Sequence, residues 1–192
     1  MKRFLFYLIG IFLCVTNICS QELSSKEEED LIQRVVECYN DFISYLPEIT
    51  TKAVRPMEER RLAQKYIAKV LNLFIGEGYD YQYLDEQGEL KMHKAVSVYV
   101  ISKDSVQNPP RLLRVFLPRL MATNHLKYEL SSLDTAELSI KKTLDMPDNA
   151  LFSVVNKNDK PVAYIFNMIV ETPEGNDVLY YPKLTDITLI EK

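Results

Sequence analysis

Between Val162 and Val170 the chain carries two interleaved apolar rows. Val162, Tyr164, Phe166, Met168 and Val170 fall on one side of an extended segment, and Ala163, Ile165 and Ile169 fall on the other with Asn167. A period of two is the signature of a strand, and apolar residues on both sides demand cover on both faces. Such a strand belongs in the middle of a sheet, and the sequence supplies neighbours for it. Residues 126–130, 136–144, 151–156 and 178–191 read as further strands, with turns at 156–160 and at 173–177 (PEGND) between the last three runs. Pro182 inside the final run places a bulge or a sheet edge there.

The first half of the chain has a different period. Residues 24–47 repeat apolar side chains at helical spacing through Leu31, Val35, Cys38, Phe42 and Leu46. Ser25 and Glu28 form the expected capping box at the start of this helix, and Glu27, Glu29 and Asp30 add negative charge where the helix dipole favours it. Pro47 is expected to end it. Cys38 falls within the apolar stripe and reads as a small buried hydrophobe. A second helix is expected from Pro56, with Leu62, Tyr66, Val70 and Phe74 on its buried stripe and Gly76 or Gly78 as its stop. A third, over 111–123, buries Leu113, Phe116 and Leu120, and Pro118 is expected to kink or split it. Arg60, Arg61, Lys65 and Lys69 read as a solvated face, as do Arg111, Arg114 and Arg119. Between the second and third helices, Tyr79, Tyr81 and Tyr83 alternate, residues 85–88 form a turn, and Val96, Val98 and Val100 mark a strand.

The first twenty residues have the composition of an address. Lys2 and Arg3 precede an apolar run over 4–15 (FLFYLIGIFLCV), followed by a polar stretch ending at Ser20. A spanning helix needs about 20 apolar residues, and this run is shorter. The expectation is a signal peptide cleaved between Ser20 and Gln21. Lipidation of Cys19 after cleavage behind Ile18 is the alternative, which would place the domain on a membrane surface; an uncleaved anchor is the third. Residues 21–192 then form a single domain in a periplasmic or secreted setting. Cleavage leaves Cys38 as the one cysteine, so the mature chain has no internal disulfide.

The formal charge of −4 across 192 residues argues against a nucleic-acid binder, which needs a basic footprint. With only 5 glycines, one of them Gly10 in the leader, the chain has no phosphate-cradling loop. It also lacks G-x-S-x-G, paired CxxC and His-x-x-x-His patterns, so serine hydrolase and common metal chemistries are disfavoured, and no cofactor or metal is expected.

Helices early and strands late define an α+β chain: three helices packed on a curved, mostly antiparallel sheet. In the order of residues 31–46, 62–74, 96–101, 111–121 and the paired runs from 126 to 190, the chain resembles the nuclear transport factor 2-like (SnoaL-like, cystatin-like cone) superfamily. The resemblance lies in element order and covers most of the mature chain. It implies a cone whose sheet wraps the helices around a pocket. In that superfamily some members are isomerases or dehydratases and others only bind or dock.

An isomerase of this kind needs a carboxylate base and hydroxyl donors in an apolar cone. The available carboxylates are Asp80, Asp104, Asp134 and Asp186, and Tyr99, Tyr128 and Tyr164 are the possible donors. Dehydratase members use an inward histidine; here the two histidines, His93 and His125, read as strand-end surface positions. Asp80, Asp104 and His93 are therefore weak catalytic candidates. Tyr79, Tyr81, Tyr83 and Tyr99 are candidate ligand-binding residues, since a row of tyrosines can stack on a sugar or another flat ligand, although such a row more often packs on a helix with its hydroxyls at the rim. The function expected is non-enzymatic binding of a small molecule or an envelope protein through a cone pocket or sheet face. A pocket isomerase or lyase, and an envelope assembly subunit forming a homodimer through its sheet, are the alternatives.

Overall fold

The computed structural model describes residues 23–191 apart from 54–56, 86, 103–107, 124–127, 131–132, 134, 143–146, 148–149 and 174. Pro56, Asp104, His125, Asp134, Cys19 and the expected cleavage site lie outside the described residues. The fold is α+β. Its helices are α1 (Ser25–Ala53), α2 (Met57–Asn72) and α3 (Leu113–Leu120). Its strands are β1 (Tyr81–Leu84), β2 (Leu90–His93), β3 (Ser97–Ile101), β4 (Arg111–Leu112), β5 (Tyr128–Leu130), β6 (Ser139–Lys141), β7 (Ala150–Val155), β8 (Pro161–Thr172), β9 (Gly175–Leu184) and β10 (Ile187–Glu191). No helix among the described residues is long and apolar enough to cross a membrane.

The start of α1 is capped one residue earlier than expected. Ser24 N–H donates to Glu27 Oε2 at 2.8 Å, and Glu27 N–H donates back to Ser24 Oγ at 3.3 Å. The helix begins at Ser25, so Ser24 is the flanking residue whose side chain reaches an N–H three positions on. The Ser24 hydroxyl and backbone N–H hold the Glu27 carboxyl below its ordinary value. Pro47 does not end the helix, which continues to Ala53. A proline inside a helix costs about 3 kcal/mol, but Leu46 and Ile49 on either side of it are buried in the core. Each such burial contributes about 1.5–3 kcal/mol, so packing outweighs the lost bond. Thr50 Oγ1 also donates to the Pro47 carbonyl at 2.9 Å. Likewise α3 is neither split by Pro118 nor as long as expected: Arg111 and Leu112 pair with β3 as a short strand before the helix starts.

Strand pairing is mostly antiparallel and divides into a hairpin, β1–β2, and two four-stranded sheets ordered β4-β3-β10-β5 and β6-β7-β8-β9. The β10–β3 pair is parallel, with Thr188 beside Tyr99. The long run expected over 178–191 breaks at Thr185 and Asp186, and its two halves enter different sheets. Pro182 lies opposite Ile165 on β9, the outermost strand of its sheet, where a missing N–H is tolerated. As expected, β8 is central, between β7 and β9. Its cover is shorter than the sequence suggests: residues 163–166 are buried, whereas Met168 and Ile169 are 52% and 66% exposed.

One buried cluster ties these elements together, with Val35 and Phe42 of α1, Val70 of α2, Val98 of β3, Phe116 of α3, Ile165 of β8 and Leu189 of β10 among its members. Cys38 belongs to it, and burial pushes its thiol up to about 12. An unfolded thiol titrates near ~8.5, so between that pH and about 12 the native chain keeps a proton that the unfolded chain releases. This contribution to stability is full below the unfolded value and falls as pH rises through that window. Iodoacetamide at pH 8.5 is accordingly expected to leave Cys38 unmodified in the native protein and to alkylate it in urea, read by mass spectrometry of the Cys38 peptide. Ready modification of the folded protein would show that the α1 face is open.

Candidate functional site

The turn after α2 positions the region of interest. Gly76, Glu77 and Gly78 all have positive φ, at 56°, 49° and 76°. This sharp reversal carries the chain from the helix into the hairpin β1–β2. Arg114 of α3 fixes it: its Nε donates to the Glu77 carbonyl at 2.9 Å, and its guanidinium lies 3.3 Å from the centre of the Tyr79 ring. Arg114 is therefore a packing residue and not merely solvated. The far end of the hairpin is closed by Asp85, whose Oδ1 accepts the N–H groups of Gln87 and Glu89 at 2.9 and 2.8 Å. Those bonds, with the Glu89 N–H the strongest influence, hold the Asp85 carboxyl below its ordinary value.

Tyr81 and His93 are cross-strand partners in this hairpin, so their side chains share a face. That face covers the Tyr164 and Phe166 side of β8. The His93 ring meets Tyr164 edge-on, with centroids 5.7 Å apart. His93 Nδ1 lies 2.8 Å from the Lys94 carbonyl, a contact that requires the proton on Nδ1 and leaves Nε2 as the acceptor of the neutral ring. The surface position expected for His93 is thus corrected: it is half-buried because the hairpin folds back onto β8.

A different cleft lies at each member of the Tyr81–His93 pair. The first, of about 370 Å³, is lined by His93, Tyr99, Asn156, Lys160, Pro161, Val162, Thr185, Asp186 and Thr188. Its wall is made where the 178–191 run breaks. Asp186 Oδ1 accepts the Ser97 N–H at 2.7 Å, and Thr185 Oγ1 donates to the Pro161 carbonyl at 2.7 Å. Side chains that bond backbone groups in this way compete with the strand ladder, so β9 stops and β10 starts in another sheet. The opposite wall is the β7–β8 turn, where Asn156 Oδ1 accepts the N–H groups of Asn158 and Lys160 at 2.9 and 3.2 Å.

The second cleft, of about 200 Å³, is lined by Ile75, Gly76, Tyr81, Phe166, Tyr181 and Lys183. Phe166 and Tyr181 are paired across β8 and β9 and stack with centroids 5.7 Å apart. Tyr81 stacks on Tyr83 at 6.3 Å. Lys183 Nζ donates to the Asn72 carbonyl and, at 3.1 Å, to Asn72 Oδ1, closing the C-terminal end of α2. Burial lowers the Lys183 pKa from its ordinary value.

The residues singled out in the sequence therefore separate. Tyr99 and His93 line the polar cleft and Tyr81 the aromatic one. Tyr79 packs under Arg114 outside both, and Tyr83 backs Tyr81 without lining either. Asp80 is used structurally, its Oδ1 accepting the Ala95 N–H at 2.8 Å. Lys160, Lys183, Phe166 and Tyr181 were not legible as site residues. The Thr185–Asp186 pair was the available signal, since two side chains able to bond backbone groups interrupt an otherwise apolar run. Among the described residues no group of three His, Cys, Asp or Glu side chains is placed to hold a metal. The chain matches no family model, no curated protein and no solved structure. None of these comparisons identifies the nuclear transport factor 2-like superfamily, and the resemblance in element order stays an expectation of the sequence.

Proposed function

We propose that the chain is an exported binding protein that takes a small, neutral, polyhydroxylated molecule such as a sugar in the polar cleft. The observation that carries this reading is the convergence of three segments, bearing Tyr99, Lys160 and the Asp186–Thr188 stretch, on one cleft of about 370 Å³. That volume lies within the range of about 300–1,000 Å³ typical of small-molecule sites. Lys160 only donates, the Asp186 carboxylate only accepts, and the Tyr99 and Thr188 hydroxyls do both. A hydroxylated ligand, each of whose groups donates and accepts, suits this mixture. The opposite charges of Lys160 and Asp186 favour a neutral ligand over an ion. The Tyr99 ring with Pro161 and Val162 offers apolar surface to the C–H face of a sugar.

The test is an NMR titration of isotopically labelled protein with glucose, galactose and N-acetylglucosamine. At least one sugar is expected to give saturable shifts at Tyr99, Lys160 and Asp186. Tyr99→Ala should weaken that binding by about 10-fold, the equivalent of about 1.4 kcal/mol. Shifts confined to residues outside the cleft, or none beyond those of bulk solvent, would sink the reading.

A further inference from the structure

We propose that the aromatic cleft between the hairpin and β9 is a docking point for a partner polypeptide, which inserts one aromatic side chain and presents a carboxylate to Lys183. At about 200 Å³ the cleft is smaller than sites that enclose a whole small-molecule ligand. Its walls are nonetheless built for a ring. Phe166 and Tyr181 form one stacked wall, their planes 20° apart, and the Tyr81 ring lines the same cleft. Gly76 lets Tyr81 sit close against the turn, because a Cβ there would lie 3.0 Å from Tyr81 Cβ.

Lys183 gives the charge complementarity. Two of its three N–H groups go to Asn72, and among the described residues no further hydrogen-bond acceptor is seen on it, although the charge of Glu77 is close enough to act on it. A partly desolvated ammonium gains more from a carboxylate than one in water does. The surface also continues past the cleft. Met168 and Leu179 are the next pair on the same face of the β8–β9 ladder, 52% and 44% exposed. A ligand that fills the cleft alone leaves this strip in water, whereas an extended chain covers both. An aromatic anchor in a notch with apolar contacts beside it is how interfaces concentrate binding energy.

Four probes test the proposal by NMR on the intact chain: acetyl-Ala-Phe-Asp-Ala-amide, the same peptide with Asn for Asp, the same peptide with Ala for Phe, and free N-acetylphenylalanine. The first is expected to shift Ile75, Tyr81 and Tyr181 saturably. The Asn peptide should bind about 3-fold more weakly, N-acetylphenylalanine about 10-fold more weakly, and the Ala peptide without saturation. Tyr181→Ala should weaken the first peptide by about 10-fold, and Lys183→Met should erase the preference for Asp over Asn. Lys183→Met also uncaps α2, so if that variant fails to fold, Tyr181→Ala and the four probes decide. Equal affinity for N-acetylphenylalanine and the peptide would make this a small-molecule notch and overturn the proposal. So would indifference to Phe, or concentration-dependent shifts of the same residues without peptide, which would make a second copy of the chain the occupant. None of these results depends on sugar binding in the polar cleft.

Discussion

Phe74→Ala is expected to lower the free energy of unfolding by about 3–5 kcal/mol, the range for deleting a buried aromatic ring. Phe74 is fully buried where α2 gives way to the Gly76 turn. Its ring meets that of Phe42 on α1 edge-on, with centroids 5.4 Å apart and planes 83° apart, a geometry that adds to simple burial. Its backbone bridges to Leu184, and Leu184 N–H donates to the Leu73 carbonyl at 2.8 Å. One ring thus stands where α1, the end of α2 and the end of β9 meet. Urea denaturation monitored by far-ultraviolet circular dichroism measures the loss. A cost below about 1.5 kcal/mol would mean that the surroundings collapse into the space and that this junction does not set the core.

That junction was partly legible in the sequence. Phe42 and Phe74 each fell on a helical stripe, and the Val96, Val98 and Val100 row is buried as its alternation required. Regular periods survive folding because each is produced by one face meeting the core. The departures share a cause, which is that a local signal met a tertiary contact. Pro47 reads as a stop, yet the burial of Leu46 and Ile49 carries α1 through it. The run over 178–191 reads as one strand, yet Asp186 bonds Ser97, 89 positions away, and ends it. His93 beside Lys94 reads as a surface pair, yet the hairpin turns it onto Tyr164. Candidate-site residues were the least legible for the same reason. Lys160 reads as an ordinary turn residue and Asp186 as one of four carboxylates with nothing to single it out, and only the meeting of two sheets gives them a common cleft.

Gly76→Val is expected to cost about 2–5 kcal/mol, from two sources. At a φ of 56° an L-residue pays about 1–2 kcal/mol for the left-handed conformation, and a β-branched side chain fits it least well. The new Cβ would also lie 3.0 Å from Tyr81 Cβ and 3.7 Å from its Cα, so the start of β1 must shift. Overpacking of this kind costs about 1–3 kcal/mol. Gly88 separates the two contributions. It has a φ of 76°, but a Cβ there would meet nothing within 4 Å, so Gly88→Val should show the conformational cost alone, about 1–2 kcal/mol. The difference between the variants in urea denaturation measures how firmly Tyr81 is held against Phe166 and Tyr181. A clear excess for Gly76→Val, with loss of the Phe–Asp peptide's binding, would establish a rigid aromatic notch that exists before any partner arrives. Equal costs would mean that Tyr81 yields freely, and a docking point that must form around its ligand binds more weakly by the ordering it has to pay for.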